Sequence, residues 1–142
     1  MATKSLQAQV ADLSKSFVGM AADVRNKAAD SIAENMLLAE SNAKVLTPVD
    51  TGRLRANNRG IFDKRKLAGV LFNNVVYAPF INFGTGSGVD VLKGWEQAAM
   101  QFKGTGKPFY DIRGNNFFSK AADTAAKNIV DELTTIVKNA KL

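Results

Sequence analysis

The reading of residues 5–46, SLQAQVADLSKSFVGMAADVRNKAADSIAENMLLAESNAKVL, decides the fold. Apolar residues recur at Leu6, Val10, Leu13, Phe17, Met20, Val24, Ala28, Ile32, Met36, Ala39, Ala43 and Leu46. The steps are three or four throughout, which sets them along one helical face. No proline interrupts the run before Pro48, and Lys44 places a cation near the negative end of the helix dipole. Gly19 is the weak point, at a cost of about 1 kcal/mol against alanine, and marks either a bend or a break into two helices. Unbroken, the helix spans roughly 60 Å. A compact domain of 142 residues has a radius of gyration of only about 14–15 Å. A straight helix therefore projects from its own domain. Its apolar stripe then stays in water unless the helix breaks at Gly19 or packs on another copy.

Downstream, Thr47–Gly52 (TPVDTG) reads as a turn, with Pro48 stopping the helix and Asp50-Thr51-Gly52 supplying a side-chain acceptor and a flexible backbone. Residues 53–62 read as a strand, Leu54, Ala56 and Asn58 alternating with Arg53, Arg55 and Asn57. Residues 63–66 form a polar turn, and 67–76 a second, β-branched strand region interrupted by Asn73-Asn74, which suit a bulge or a tight turn. Tyr77–Phe83 carries Pro79 and precedes Gly84, so a short helix capped by glycine fits. Helical spacing returns over 91–102 and over about 115–140, and Pro108-Phe109-Tyr110 suits a short strand. The fold expected is α+β: a long N-terminal helix, a small antiparallel sheet of about three strands, a short helix and a long C-terminal helix covering one sheet face. One domain over 1–142, with a helical arm over about 5–46, is expected from the length.

Composition narrows the chemistry. The chain has no cysteine and no histidine, which excludes disulfides, thiol nucleophiles, Cys/His zinc sites and Ser-His catalysis. The carboxylates are scattered, so neither an enzyme constellation nor a metal or cofactor site is expected. No run of eighteen apolar residues occurs, no membrane partner is expected, and the mixed polar and apolar first twenty residues do not read as a secretory signal. The glycine loops fail as phosphate cradles: Pro108 follows Gly106-Lys107, the upstream position is Gln101, and GTGSG (84–88) lacks the dinucleotide spacing. Phe80, Phe83, Trp95, Phe102, Phe109, Phe117 and Phe118 read as core rather than as a stacking platform for bases.

Charge is concentrated. Residues 51–66 hold Arg53, Arg55, Arg59, Lys64, Arg65 and Lys66 against Asp63, which is +5 of the net +6. Such a patch suits an acidic protein surface, nucleic acid or plain solvent.

The stretch Leu46–Arg55 (LTPVDTGRLR) resembles a motif of the tailed-bacteriophage head–tail joining, or tail-completion (neck), proteins. In that family a long N-terminal helix precedes the motif, a Tyr-Ala segment ending in an aromatic and Gly-Thr follows, and a Pro-Phe element precedes a final helix. Here these are Tyr77–Thr85 (YAPFINFGT), with Asn82 where the family often has glutamate, then Pro108-Phe109 and the helix from about Asn115. The resemblance implies a structural virion protein and no enzyme: a homo-oligomeric ring, often sixfold, in the neck, assembled in the host cytoplasm. It would touch head-side connector or adaptor proteins and the tail terminator or tail tube, with genomic double-stranded DNA passing through its lumen. Under that reading Asp50, Thr51 and Gly52 shape the turn, Arg53, Arg55 and Arg59 face an acidic neighbour, and Gly84, Thr85, Gly86, Lys103, Gly104 and Lys107 belong to docking loops. Two other readings stay open: a tail terminator or tail-tube component, and a DNA-binding module using residues 53–66.

Overall fold

The computed structural model describes residues 5–49, 52–85, 91–103 and 113–140. The architecture is α+β. Helix α1 (Leu6–Leu46) is followed by a helical turn α2 (Arg53–Ala56), strands β1 (Asn58–Asp63) and β2 (Ala68–Asn73), short helices α3 (Ala78–Phe83) and α4 (Glu96–Lys103), and the final helix α5 (Phe117–Lys138).

Helix α1 runs unbroken through Gly19 for 41 residues. The Ser5 hydroxyl accepts from the Ala8 N–H at its start, satisfying one of the open donors there. At its end the Thr47 N–H bonds the Ala43 carbonyl at 2.9 Å. Its first buried residue is Ala28. Residues 6–27 therefore form an arm about 33 Å long with no fully buried residue, half-buried at Met20 and Val24 where it meets the stem.

The second half of α1 is the stem on which α5, the hairpin and α2 pack, while α3 packs on α4 and α5. Helix α5 lies against it antiparallel: the Asn115 side chain donates to the Leu46 carbonyl at one end, and Ser31 and Asn35 donate to the Glu132 carboxylate towards the other. Small side chains, Ala28, Ala39 and Ala43 on α1 and Ala121 and Ala125 on α5, are buried along this half. The hairpin packs on the same stem. Its strands pair antiparallel, Gly60 opposite Leu71 and Phe62 opposite Gly69. A Cβ on Gly60 would stand 2.2 Å from the Met36 carbonyl oxygen, and one on Gly69 would stand 2.6 Å from the Met36 thioether. Two glycines facing α1 let the sheet backbone lie directly on the helix. Ile32, Met36, Ala39 and Ala125 form the core there, with Leu67, Leu71 and Ile129 packed against it.

A second core closes the opposite end of the stem. Leu54, Val75, Ala78 and Phe117 are its buried members, flanked by Ile81 and Phe118. Around it Phe83 stacks on Phe102 with centroids 6.1 Å apart, and Trp95 meets Phe118 edge-on. The Trp95 indole N–H donates to Asp123 at 2.9 Å. Except for Phe109, which lies outside the described residues, the aromatics expected in the core pack on one another or on that core.

Four expectations need correction. The sheet has two strands among the described residues, not about three; Pro108–Tyr110 lies outside them. Residues 53–56 are a helical turn rather than a strand, because Gly52 takes φ 78° and its carbonyl accepts the Ala56 N–H, closing a turn that buries Leu54 and leaves Arg53 and Arg55 outside. Asn73-Asn74 is neither bulge nor hairpin turn: it ends β2, where the Asn73 side chain accepts the Val75 N–H. Helical structure expected from residue 91 begins only at Glu96, after Gly94 at φ 94°.

Gly60→Ala is expected to lower stability by about 1–3 kcal/mol, since the added methyl overpacks the Met36 backbone. Gly19→Ala, where nothing lies within 4 Å of the added Cβ, is expected to cost no stability. Urea denaturation of the two variants beside the parent checks the contrast.

Candidate assembly interface

The two motifs LTPVDTGRLR and YAPFINFGT lie about thirty residues apart in sequence and meet at one end of the stem. Leu54 of the first and Ala78 of the second share the buried apolar cluster there, and a hydrogen-bonded chain of polar side chains ties the first motif to the hairpin. Asn73 donates to Asn58 at 2.9 Å, Asn58 donates to the Thr47 hydroxyl at 2.7 Å, and that hydroxyl donates to the Ala43 carbonyl. Asn73 also donates to the Leu54 carbonyl at 2.9 Å. The end of α1, the turn α2 and both strands are thereby fixed to one another through buried Thr47 and Asn58 and half-buried Asn73. Asn58 and Asn73 are a cross-strand pair, so the hairpin register sets the network.

Asn82 ties the second motif to α5. Its side-chain oxygen accepts the N–H groups of Phe118 and Ser119 at 2.9 and 3.2 Å, and its amide donates to the Ser119 hydroxyl at 2.8 Å. The backbone carbonyls of Ile81 and Asn82 accept from Asn115 and Asn116. Asn116, at the N-cap, adopts a left-handed conformation and makes no capping bond of its own. Asn82 is therefore a long-range cap for α5, and a neutral amide does there what a carboxylate can also do.

A third tie holds the hairpin to α1. The Glu40 carboxylate accepts from Lys44 one turn on and from the Gly60 N–H at 2.9 Å. The Lys44 hydrogen bond, then the Gly60 N–H, hold its pKa below the ordinary 4.5, and Lys44 and Arg59 add charge attraction against the opposing effect of burial.

These ties leave a distinct outer surface. Arg53 and Arg55 are exposed on α2, and Arg59 is exposed on β1 beside its cross-strand partner Phe72. The same strand face carries Ile61 opposite Val70, both about half exposed. The stem end also exposes Val45, Leu46, Val49, Val76 and Tyr77. Apolar residues interspersed with arginine are the usual make-up of a protein–protein contact.

The six basic residues do not form one patch. Arg53, Arg55 and Arg59 lie towards the open end of the hairpin, while Lys64, Arg65 and Lys66 sit in its turn, roughly 20 Å away along the strand. The turn group meets α1: Lys64 lies 3.9 Å from Asp30, and Arg25 donates to the Arg65 carbonyl. Of the other expected contact residues, Gly52 is the left-handed residue opening α2. Gly84, expected in a docking loop, is buried, caps α3 through a bond to the Phe80 carbonyl, and bridges Arg113. Thr85 follows it, half-buried, and Lys103 is the last residue of α4. Asp50, Thr51, Gly86, Gly104 and Lys107 lie outside the described residues.

Sequence reading missed Thr47, Asn58, Asn73 and Asn82. The available signal was the recurrence of asparagine at element ends, Asn57-Asn58, Asn73-Asn74 and Asn115-Asn116. Among the described residues no group of three or more acidic side chains is placed to hold a metal ion, and no helix is long and apolar enough to cross a membrane. Compared with protein-family models, curated proteins and solved structures, the chain matches none.

Asn58→Ala is expected to cost about 1–3 kcal/mol in denaturant unfolding, because Asn73 and Thr47 lose a buried partner. Glu40 adds stability fully present above pH 4.5 and lost as the pH falls through its lowered value. Glu40→Gln removes that component, so stability measured from pH 6 down to 3 is expected to fall less steeply in the variant than in the parent.

Proposed function

We propose that this chain is a structural subunit of the neck of a tailed bacteriophage, closing a ring of identical copies between the DNA-filled head and the tail. The observation that carries the reading is the meeting of the two family-like motifs at one end of the stem, where they leave Arg53 and Arg55 exposed amid apolar side chains. The residues of those motifs that point inwards, Thr47, Leu54, Ala78 and Asn82, hold the end rigid. Those that point outwards are free to meet another surface.

A ring needs a heterologous contact, in which one patch meets a different patch on the next copy. Arg53 and Arg55 supply one side of it, with charge-assisted bonds to carboxylates of the next subunit or of an adjoining ring. Among the described residues no group of three or more acidic side chains is placed to hold a metal ion, and the reading is one of assembly. The ring would leave genomic DNA to pass through its lumen, and the head-side connector and the tail terminator or tube would be its neighbours.

Arg53→Glu combined with Arg55→Glu is expected to leave the circular dichroism and unfolding midpoint near those of the parent and to abolish head–tail joining. The check is a complementation assay, with particles counted by electron microscopy as joined phages or as separate heads and tails. Normal yields of infectious particles from the double variant would overturn the assignment.

A further inference from the structure

Helix α5 covers only half of the apolar stripe on α1. The rest of the stripe runs Leu6, Val10, Leu13, Phe17, Met20, Val24; its outer members are strongly exposed, Leu6 by 76%, Val10 by 55% and Leu13 by 51%, while Met20 and Val24 nearest the stem are half-buried. The steps are four, three, four, three, four, about two and a half seven-residue repeats, which is the spacing of a two-stranded coiled-coil seam. A lone arm does not need a repeat so regular; a partner helix does.

We propose that the arm is a self-pairing surface, and that two copies of this chain associate through it antiparallel, Leu6 of each opposite Val24 of the other. Two features of the molecule fit a second copy as the occupant, and a third selects the direction. First, the spacing reads the same from either end about residue 15. An antiparallel copy therefore places Leu6 against Val24, Val10 against Met20 and Leu13 against Phe17, filling every layer of the seam.

Second, the positions flanking the seam are Gln7, Ser14 and Ala21 on one side and Gln9, Ser16 and Asp23 on the other. Antiparallel pairing sets Asp23 near Gln9, and the two serines each near its own copy, so no like charges meet. Residues 6–24 carry only Asp12, Lys15 and Asp23. Such a face has no strong charge calling for an oppositely charged partner, and it lacks the cations that an anionic lipid surface attracts.

Third, α5 itself blocks the parallel arrangement. It ends at Lys138, six residues beyond Glu132, which bonds Ser31 and Asn35. Its end therefore lies beside about residues 25–28 of α1. In a parallel pair both α5 helices would occupy the level where the partner's α1 must run. In an antiparallel pair the partner's arm begins where α5 stops and continues the same layer on the same stripe, with the two globular ends far apart. The contact is isologous and uses none of the stem-end residues, so it stands apart from the ring contact of the proposed function.

The absence of cysteine from the chain makes the test direct. Sedimentation equilibrium of the whole protein is expected to give twice the 15.3 kDa chain mass. Leu13→Asp with Phe17→Asp, both in the unburied arm, is expected to return it to the single-chain mass with an unchanged unfolding midpoint. Leu6→Cys and Val24→Cys proteins, each alone under mild oxidation, are expected to give little disulfide-linked species, and an equimolar mixture to give covalent pairs of one with the other. A single-chain mass for the parent at every concentration, a mass unmoved by the double aspartate variant, or cross-linking of the Leu6→Cys protein with itself would each overturn the proposal. Normal head–tail joining by the Arg53→Glu, Arg55→Glu variant, with self-association of the parent observed, would leave this inference standing and count only against the stem-end arginines.

Discussion

A mismatch of lengths governs this molecule. Helix α1 has 41 residues and α5 has 22, so at 1.5 Å per residue the first is roughly 60 Å long and the second roughly 33 Å. One apolar stripe runs the length of the longer helix, and the shorter can bury only part of it. The buried part becomes the stem, with the hairpin on Met36 and Glu40 and the aromatic core beyond Leu46. The unburied part becomes an arm. A helix end without tertiary packing is only marginally stable in water, because helical stability in proteins comes mostly from the buried face. The arm is held by continuity with the stem at one end and by the Ser5 cap at the other.

The stem end shows how a small sheet is made stable. A two-stranded hairpin alone is marginal. Here Gly60 and Gly69 bring its backbone against α1, Glu40 accepts a strand N–H, and the asparagine pair stitches both strands to the helix terminus. The ties use polar groups that are buried or half-buried, so they are costly to break and specific in geometry. The result is a rigid inner side and an outer side carrying half-exposed apolar residues and arginines, a division of labour that suits a building block of a larger assembly.

The two proposed contacts differ in symmetry. The arm is self-complementary about its own middle, whereas the stem end presents arginines without a matching acidic set of its own motif residues. Self-complementary contacts close into pairs; contacts between unlike patches propagate into rings. They lie at opposite ends of α1, which lets one chain use both without steric competition.

Much of this was legible in the sequence. The stripe at Leu6 through Leu46, the turn at residues 63–66, the capped short helix ending at Gly84 and the final amphipathic helix all follow from local periodicity and from proline and glycine placement. So did the projecting helix, because length and period alone fix how far it reaches. Three things were decided only by tertiary structure. The arginine segment 53–56 alternates like a strand, yet its left-handed glycine and the burial of Leu54 in a distant core wind it into a turn. The basic residues look like one patch, yet a strand separates them into two groups. Thr47, Asn58, Asn73 and Asn82 look like ordinary turn residues, yet their partners lie 11 to 37 positions away. The physical reason is the same in each case: periodicity reports which face of an element is apolar, whereas a buried hydrogen bond depends on which elements meet, and that is set by packing across the whole chain.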